Sequence, residues 1–441
     1  MAEIPAVQVN LWGQFMGAVA PLRNKPGLYE FSYAPAFEKG GLEVSPLRMR
    51  LNSQRRFSFT DLSQETFYGL PGLLADALPD QFGKALVDEQ LSRRGLRPSE
   101  VTPLHRLVHA GRCSWGALEF ESAETPNRQD VAPSALELAR LLEDVRHARK
   151  GEFFAIAQDL IDIGSTVSGA RAKAVIGWNP QTKAIVSGQF DVPEGFEHWL
   201  LIFDVGRDGE PGATTGSGQI EYAHFCMAEA AGIEMSPYRL WAEDGRMHFM
   251  TKRCDREGNY KLHTQTLSAL MHLDAPTALH GYDQYLRAVL SLNLGADALE
   301  QAWARCVFNV AVGNCADPTK NLSFLMDPTG QWKLAPAYGN GFSFNPDDQK
   351  CARLHQRHVT EIKEDITSEV LLDLAKAYDL RRSREKLQQI LDAVARWPEF
   401  AKNAGVPAAE IRRISLRHLI LQREPRPRVM RDLHLQLELF D

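Results

Sequence analysis

Residues 310–321 read VAVGNCADPTKN, a polar loop carrying Asn314, Asp317, Lys320 and Asn321 between the apolar runs FNVAV and NLSFLM. A carboxylate, a cation and amide oxygens on one short loop with apolar flanks are parts used in phosphoryl transfer. That chemistry asks for donors around the phosphates, a lysine on an inner strand, a carboxylate to orient the nucleophile, and Mg²⁺ held by carboxylate or amide oxygens. A phosphate-facing counterpart is STVSGARAK, residues 165–173. There Ser165, Thr166, Ser168, Gly169 and Ala170 are small enough for backbone N–H groups to approach an anion. Standing alone, such a stretch reads first as a small-residue turn into a strand.

The elements that must position these loops follow from pattern. The first 125 residues are rich in glycine and proline and carry short apolar runs, VQVNLWG and GLYEFSYA, which suit a small β-containing unit. Helical stretches follow around 62–97, and Gly111, Gly116 and the run Ala117–Phe120 predict a turn into a strand. ETPNRQDVAPS is the expected linker. From Ser134 a helix with leucines at helical spacing leads to the 165–173 loop, then strands through AIVSGQF and HWLLIFDVG. GQIEYAHFCMAEAAG reads as a helix stopped by Gly232. YRLWAE and MHFMTKRC read as strands joined at Asp244 and Gly245. Beyond about 260 the pattern is mainly helical, apart from a hairpin in NLSFLMDPTGQWKLAP turning at DPTG. HTQTLSALMH, residues 263–272, reads as helix and loop, not as a metal site. A small β-rich lobe with one helix, a hinge strand and a helical lobe carrying a polar loop is the order protein kinases use, and pattern alone leaves other arrangements open.

The 441 residues are 44% hydrophobic and 24% charged, an ordinary globular composition with room for two or three packed domains. A net charge of −6 gives no global reason for nucleic-acid binding. The basic stretches RRSREK and IRRISLRH with REPRPRVMRD are local exceptions, and charge runs of this kind are commonly solvated helix faces. The six cysteines form neither a CxxC pair nor a zinc-like cluster. With no run of eighteen apolar residues and no leader-like start, a cytoplasmic protein away from membranes is expected.

Five stretches together resemble the HipA family, the kinase-fold toxins of bacterial type II toxin–antitoxin modules, over nearly the whole chain. They are FYGLPGLLADALPDQFG (67–83), GALEF (116–120), GSTVSGARAKAVI (164–176), MTKRCDREGN (250–259) and the long stretch 308–346. The resemblance implies an α+β, HipA-like protein-kinase fold with an N-terminal β-rich subdomain (1–125), a kinase N-lobe (126–255) and a helical C-lobe (256–441). It implies a serine/threonine kinase that takes ATP and Mg²⁺ and acts on a translation factor. It also implies a HipB-like helix-turn-helix antitoxin as partner, with DNA reached only through it.

Residue by residue, the carry-over is uneven. The loop at Ser165–Ala170 is kept, and Thr166 stands where family members carry a self-phosphorylated serine. The inner-strand lysine position is Ile202, and an alkyl chain cannot neutralise phosphate charge. Aligning Lys320 and Asn321 with the family's Lys–Asn puts Ala316 at the base position and Pro318 at the histidine. Asp317 remains one place along, as the residual base candidate. The metal aspartate position is Gly339, followed by Asn340, which leaves Asn321 and Asn340 as a weak amide set for a metal. Lys173, Lys252 and Arg253 are the cations near the expected nucleotide, whose adenine would be held by backbone at the hinge, Thr251–Cys254. Glu221 is either a remnant polar partner of the lost lysine or a solvated carboxylate at a helix start. The primary reading is a pseudokinase acting through protein binding. The alternatives are an active atypical kinase with rewired residues, and a corepressor in a HipB-like complex on DNA.

Overall fold

A computed structural model of the chain describes residues 4–79, 81–122, 138–149, 172–204, 216–243, 245–274, 282–314, 319–339, 341 and 367–418. The first sheet is antiparallel, in the order β4-β3-β2-β1-β5. Its strands are β1 (Val7–Leu11), β2 (Gln14–Pro21), β3 (Tyr29–Tyr33), β4 (Arg56–Phe57) and β5 (Leu118–Glu121). In YEFSY the residues Tyr29, Phe31 and Tyr33 are buried and the two between are less so, the two-residue period of a half-covered strand. β1 and β2 are joined at Trp12 and Gly13, both with positive φ, 50° and 75°, as a tight hairpin turn requires. Val7, Val9, Phe31, Phe57, Phe120 and Leu107 fill the core beneath this sheet.

The second sheet runs β7-β6-β8-β10-β9, with every pairing antiparallel. Its strands are β6 (Lys173–Trp178), β7 (Ile185–Ser187), β8 (Glu197–Ile202), β9 (Tyr238–Glu243) and β10 (Arg246–Lys252). All six residues of KAVIGW are buried, because the strand is central and covered on both faces. One face packs Ile176, Trp178, Trp199 and Met250 against Leu141 and Val145 of the helix Leu138–Arg149. The helix Ser217–Ala230 lies against β10 so closely that a Cβ at Gly218 would sit 2.1 Å from the Met247 carbonyl oxygen. Past its end, Gly232 takes φ +76° and donates its N–H to Glu229 O at 2.9 Å, as the sequence predicts for a stop glycine.

The helical body is built around Ala296–Ala311, whose ADALEQAWARCVFNVA is buried along most of its length. Trp303, Phe308 and Leu299 meet residues from Tyr282–Ser291, Ser368–Ala377, Ser383–Ala395 and Trp397–Asn403 in one large core. β11 (Arg256–Glu257) and β12 (Tyr260–Lys261) form a small ribbon. The expected hairpin is present as β14 (Ser323–Met326) and β15 (Trp332–Leu334). Its turn is held by Asp327 Oδ1, which accepts from the N–H groups of Thr329 at 2.9 Å and Gln331 at 3.1 Å.

One expectation is corrected. HTQT at 263–266 is a strand, β13, paired with β14, and the helix Leu267–Met271 begins only after it. The run was too short for periodicity to separate strand from helix, and pairing with a neighbour distant in sequence decided it. The mixed α+β class stands. Among the described residues, Cys113, Cys226, Cys254 and Cys306 are free thiols, and no helix is long and apolar enough to cross a membrane.

Candidate active site

Lys173 opens β6 directly across from Ile202 on β8, and Ile202 pairs on its other side with Phe249 of β10. Opposed residues of an antiparallel pair project to the same face. Lys173 therefore stands beside the alkyl chain at the position where the resemblance expects a lysine. It is only 6% exposed, not the solvated strand-face lysine its local sequence also allows.

Beyond Ile202 the strand end is fixed by Asp204. Ser217 Oγ donates to Asp204 Oδ1 at 2.9 Å, the Asp204 N–H donates to His248 Nδ1 at 2.9 Å, and Arg246 donates to the Asp204 carbonyl at 3.2 Å. These bonds tie β8 to β10 and to the start of the helix Ser217–Ala230. One turn into that helix, Glu221 is buried, not solvated. Its carboxylate faces Gly341, where a Cβ would lie 3.1 Å from Oε2.

On the helical side, Asn314 follows the central helix. Its side-chain amide donates to Asn309 Oδ1 at 3.2 Å and to the Gly339 carbonyl at 3.0 Å. The short turn Thr319–Asn321 carries Lys320 and Asn321, and Tyr338 donates its hydroxyl to the Lys320 carbonyl at 3.0 Å. Tyr338 also shares a hydrogen bond with the Ser323 hydroxyl, and burial pushes its phenol well above the ordinary range. Gly339 has φ +66°, and a Cβ there would meet Asn321 Nδ2 at 2.7 Å. The fold thus brings Asn314, Asn321, Gly339, Gly341 and Glu221 into one neighbourhood, where Asn321 and Glu221 occupy the space that side chains at the two glycines would need.

The described residues at the expected metal position do not fit Mg²⁺. Of the two residues that the resemblance assigns to the metal and that the structure describes, Asn321 offers an uncharged amide oxygen and Gly339 has no side chain, whereas the ion favours carboxylate oxygens. Among the described residues, no group of three or more His, Cys, Asp or Glu side chains is placed to hold a metal. Ser165, Thr166, Ser168, Gly169, Ala170, Ala316, Asp317 and Asn340 lie outside the described residues.

Two further candidates have other partners. Lys252 pairs with Glu197 Oε1 at 2.7 Å. Arg253 is buried, bonds Asp255 through Nε at 2.9 Å and Nη2 at 2.7 Å, and stacks its guanidinium 4.4 Å from the Trp115 ring centre. Arg256 donates to the same carboxylate at 2.6 Å, and the Gly116 N–H adds a fourth bond at 2.8 Å. Burial alone would raise the Asp255 carboxyl, but Arg253 and Arg256 hold it well below the usual carboxylate range. Desolvation and the Asp255 charge push the thiol of half-buried Cys254 up to about 12. This knot joins the end of β10 to the loop before β5. The signal for it is the spacing Arg–x–Asp–Arg inside MTKRCDREGN, in which Arg253 also stands as an expected cation near the nucleotide.

The chain matches the family model of the HipA-like C-terminal domain over residues 165–414 and that of the HipA N-terminal domain over residues 7–121. Among solved structures it is similar to HipA of Shewanella oneidensis MR-1, from a toxin–antitoxin complex of HipA, HipB and operator DNA. The TM-score is 0.63 at 12% identity, covering 94% of this chain and 97% of that one. The Helicobacter pylori proinflammatory kinase CtkA matches at TM-score 0.33 and 12% identity, over 57% of this chain and 93% of that one. No curated protein matches by sequence.

Proposed function

The chain belongs to the HipA family, and from that premise we propose that it is a pseudokinase-like member, acting through protein binding where its relatives transfer phosphate. The observation that carries this reading is the Asn321–Gly339 pair. Where a metal-holding carboxylate would stand there is a glycine, backed against an uncharged amide and tied through its carbonyl to Asn314. Ile202 at the expected lysine position and Ala316 at the expected base position carry no charge either. The reading divides the chain into an N-terminal subdomain (1–125), an N-lobe (126–255) and a C-lobe (256–441).

The partner this proposal favours is a small HipB-like helix-turn-helix protein, with DNA contacted through it as a corepressor complex. The support is the S. oneidensis relative, whose structure contains HipA, HipB and operator DNA. Co-expression with such a protein encoded beside this one should give a stable complex, and separation of the two on size exclusion would count against the partner.

A second reading is favoured by one observation. Lys173 is buried directly across from Ile202 and is placed to take over the lysine's role, with Asp317 as base and Asn321 on the metal. Calorimetric titration with ATP, with and without Mg²⁺, separates the two. The pseudokinase reading expects no magnesium-dependent binding and no phosphotransfer. Magnesium-dependent binding that is lost in a folded Lys173→Ala variant would replace it with the rewired kinase.

A further inference from the structure

The short helix Leu267–Met271 is gripped at both ends by residues far away in the N-terminal part of the chain. At its start, Asp76 accepts from the Thr266 N–H at 2.7 Å and the Thr266 hydroxyl at 2.8 Å. Thr266 itself caps the helix by accepting from the Ala269 N–H at 3.2 Å. At its end, His272 has φ +58°, and its Nε2 accepts from the Gly72 N–H at 3.1 Å. The His272 ring stacks edge-on against Phe59, with centres 4.3 Å apart. Gly72 has no room for a side chain, since a Cβ would lie 2.5 Å from the Ala269 carbonyl oxygen. Arg48 adds a bond to the Met271 carbonyl at 3.0 Å, and Thr66 bonds Asp274.

This helix is continuous with the candidate site. The Leu267 N–H donates to the Leu322 carbonyl at 2.7 Å, and Thr266 pairs with Ser323 in the β13–β14 ladder. Asn321 is therefore the residue immediately before the one whose carbonyl the clamped helix bonds. Burial raises the Asp76 carboxyl, and Lys320 counteracts part of that rise, consistent with the carboxylate lying on the Lys320 side.

We propose that Pro71–Asp76 is a positioning clamp, in which Asp76, through Thr266, sets the place of the Lys320–Asn321 edge of the cleft. The inference rests on reading that edge as part of the site, but not on whether nucleotide binds. A disturbance of the N-terminal segment would then reach the cleft without touching it, by freeing one short helix.

The test is amide hydrogen exchange of the full chain, resolved by peptide, for Asp76→Asn, Thr266→Val and Thr266→Ser. An asparagine oxygen satisfies only one of the two Thr266 donors, and valine removes the hydroxyl. The expected result is about tenfold faster exchange at 266–273 and 319–323 in D76N and T266V, with β1–β2 and Ser368–Ala377 unchanged and T266S close to wild type. Unchanged exchange at 319–323, or equal acceleration everywhere, would overturn the clamp. Exchange is read without ligand, so a failure of the pseudokinase reading leaves this result interpretable.

Discussion

Acidification is expected to unfold this protein well above the range where its carboxylates titrate. Burial pushes His198, His224, His263 and His272 down to about 4, and His418 well below its ordinary value. Neighbouring charges add to the burial effect. Arg253 and Arg256 oppose a charge on His198, Arg48 opposes one on His272, and His224 and His418 face each other with ring centres 5.6 Å apart. Opposing these are Asp255 near His198, Glu221 near His224 and Asp61 near His272, whose effects are smaller than that of burial. In the unfolded chain each histidine takes a proton near pH 6.5, whereas in the folded chain His198, His224, His263 and His272 resist until about 4 and His418 is also held well down. Stability is thus fully present above about pH 6.5 and falls as pH drops toward 4, by about 1.4 kcal/mol per unit for each histidine. All five together would remove up to about 7 kcal/mol per unit, against a total stability of roughly 5–15 kcal/mol. Asp76, whose carboxyl is raised, works the other way and offsets a fraction. Urea unfolding followed by circular dichroism at pH 7.5, 6.5 and 5.5 should show a falling midpoint, with loss of the fold at roughly pH 5–6. His263→Gln, which removes the titrating ring from a fully buried position, should lessen the slope by one proton. A midpoint that stays flat from pH 7.5 to 5 would refute the reasoning.

Two other outcomes follow from the site. Asp255→Ala leaves Arg253 and Arg256 buried without their counter-charge and should cost about 3–5 kcal/mol in urea unfolding; a loss below about 1 kcal/mol would mean that the arginines find other partners. Gly339→Asp places a carboxylate at a left-handed backbone position that aspartate tolerates, beside Asn321, whose side-chain amide must turn aside because a Cβ there lies 2.7 Å from its Nδ2, so Mg²⁺ affinity by calorimetry should rise above that of the wild type. Equal affinity in the two proteins would argue that the metal position is not at Gly339.

The order of strands and helices was legible because each rests on local pattern: alternation in YEFSY, a stop glycine at Gly232, a DPTG turn. That Ile202, Ala316 and Gly339 carry no charge was equally readable, since which residue types stand in a motif is a property of sequence alone. What tertiary structure decided was where charges point. Lys252 and Arg253, placed near a nucleotide by their position, have their charges engaged by Glu197 and Asp255. Lys173 and Glu221 are buried although their local sequence also allows solvent. The strand at 263–266 exists because β14, some sixty residues on, lies beside it. Asp76 carried no signal by itself, because its partner Thr266 is 190 residues away, and no local period or turn chemistry reports a contact made only when the chain closes on itself.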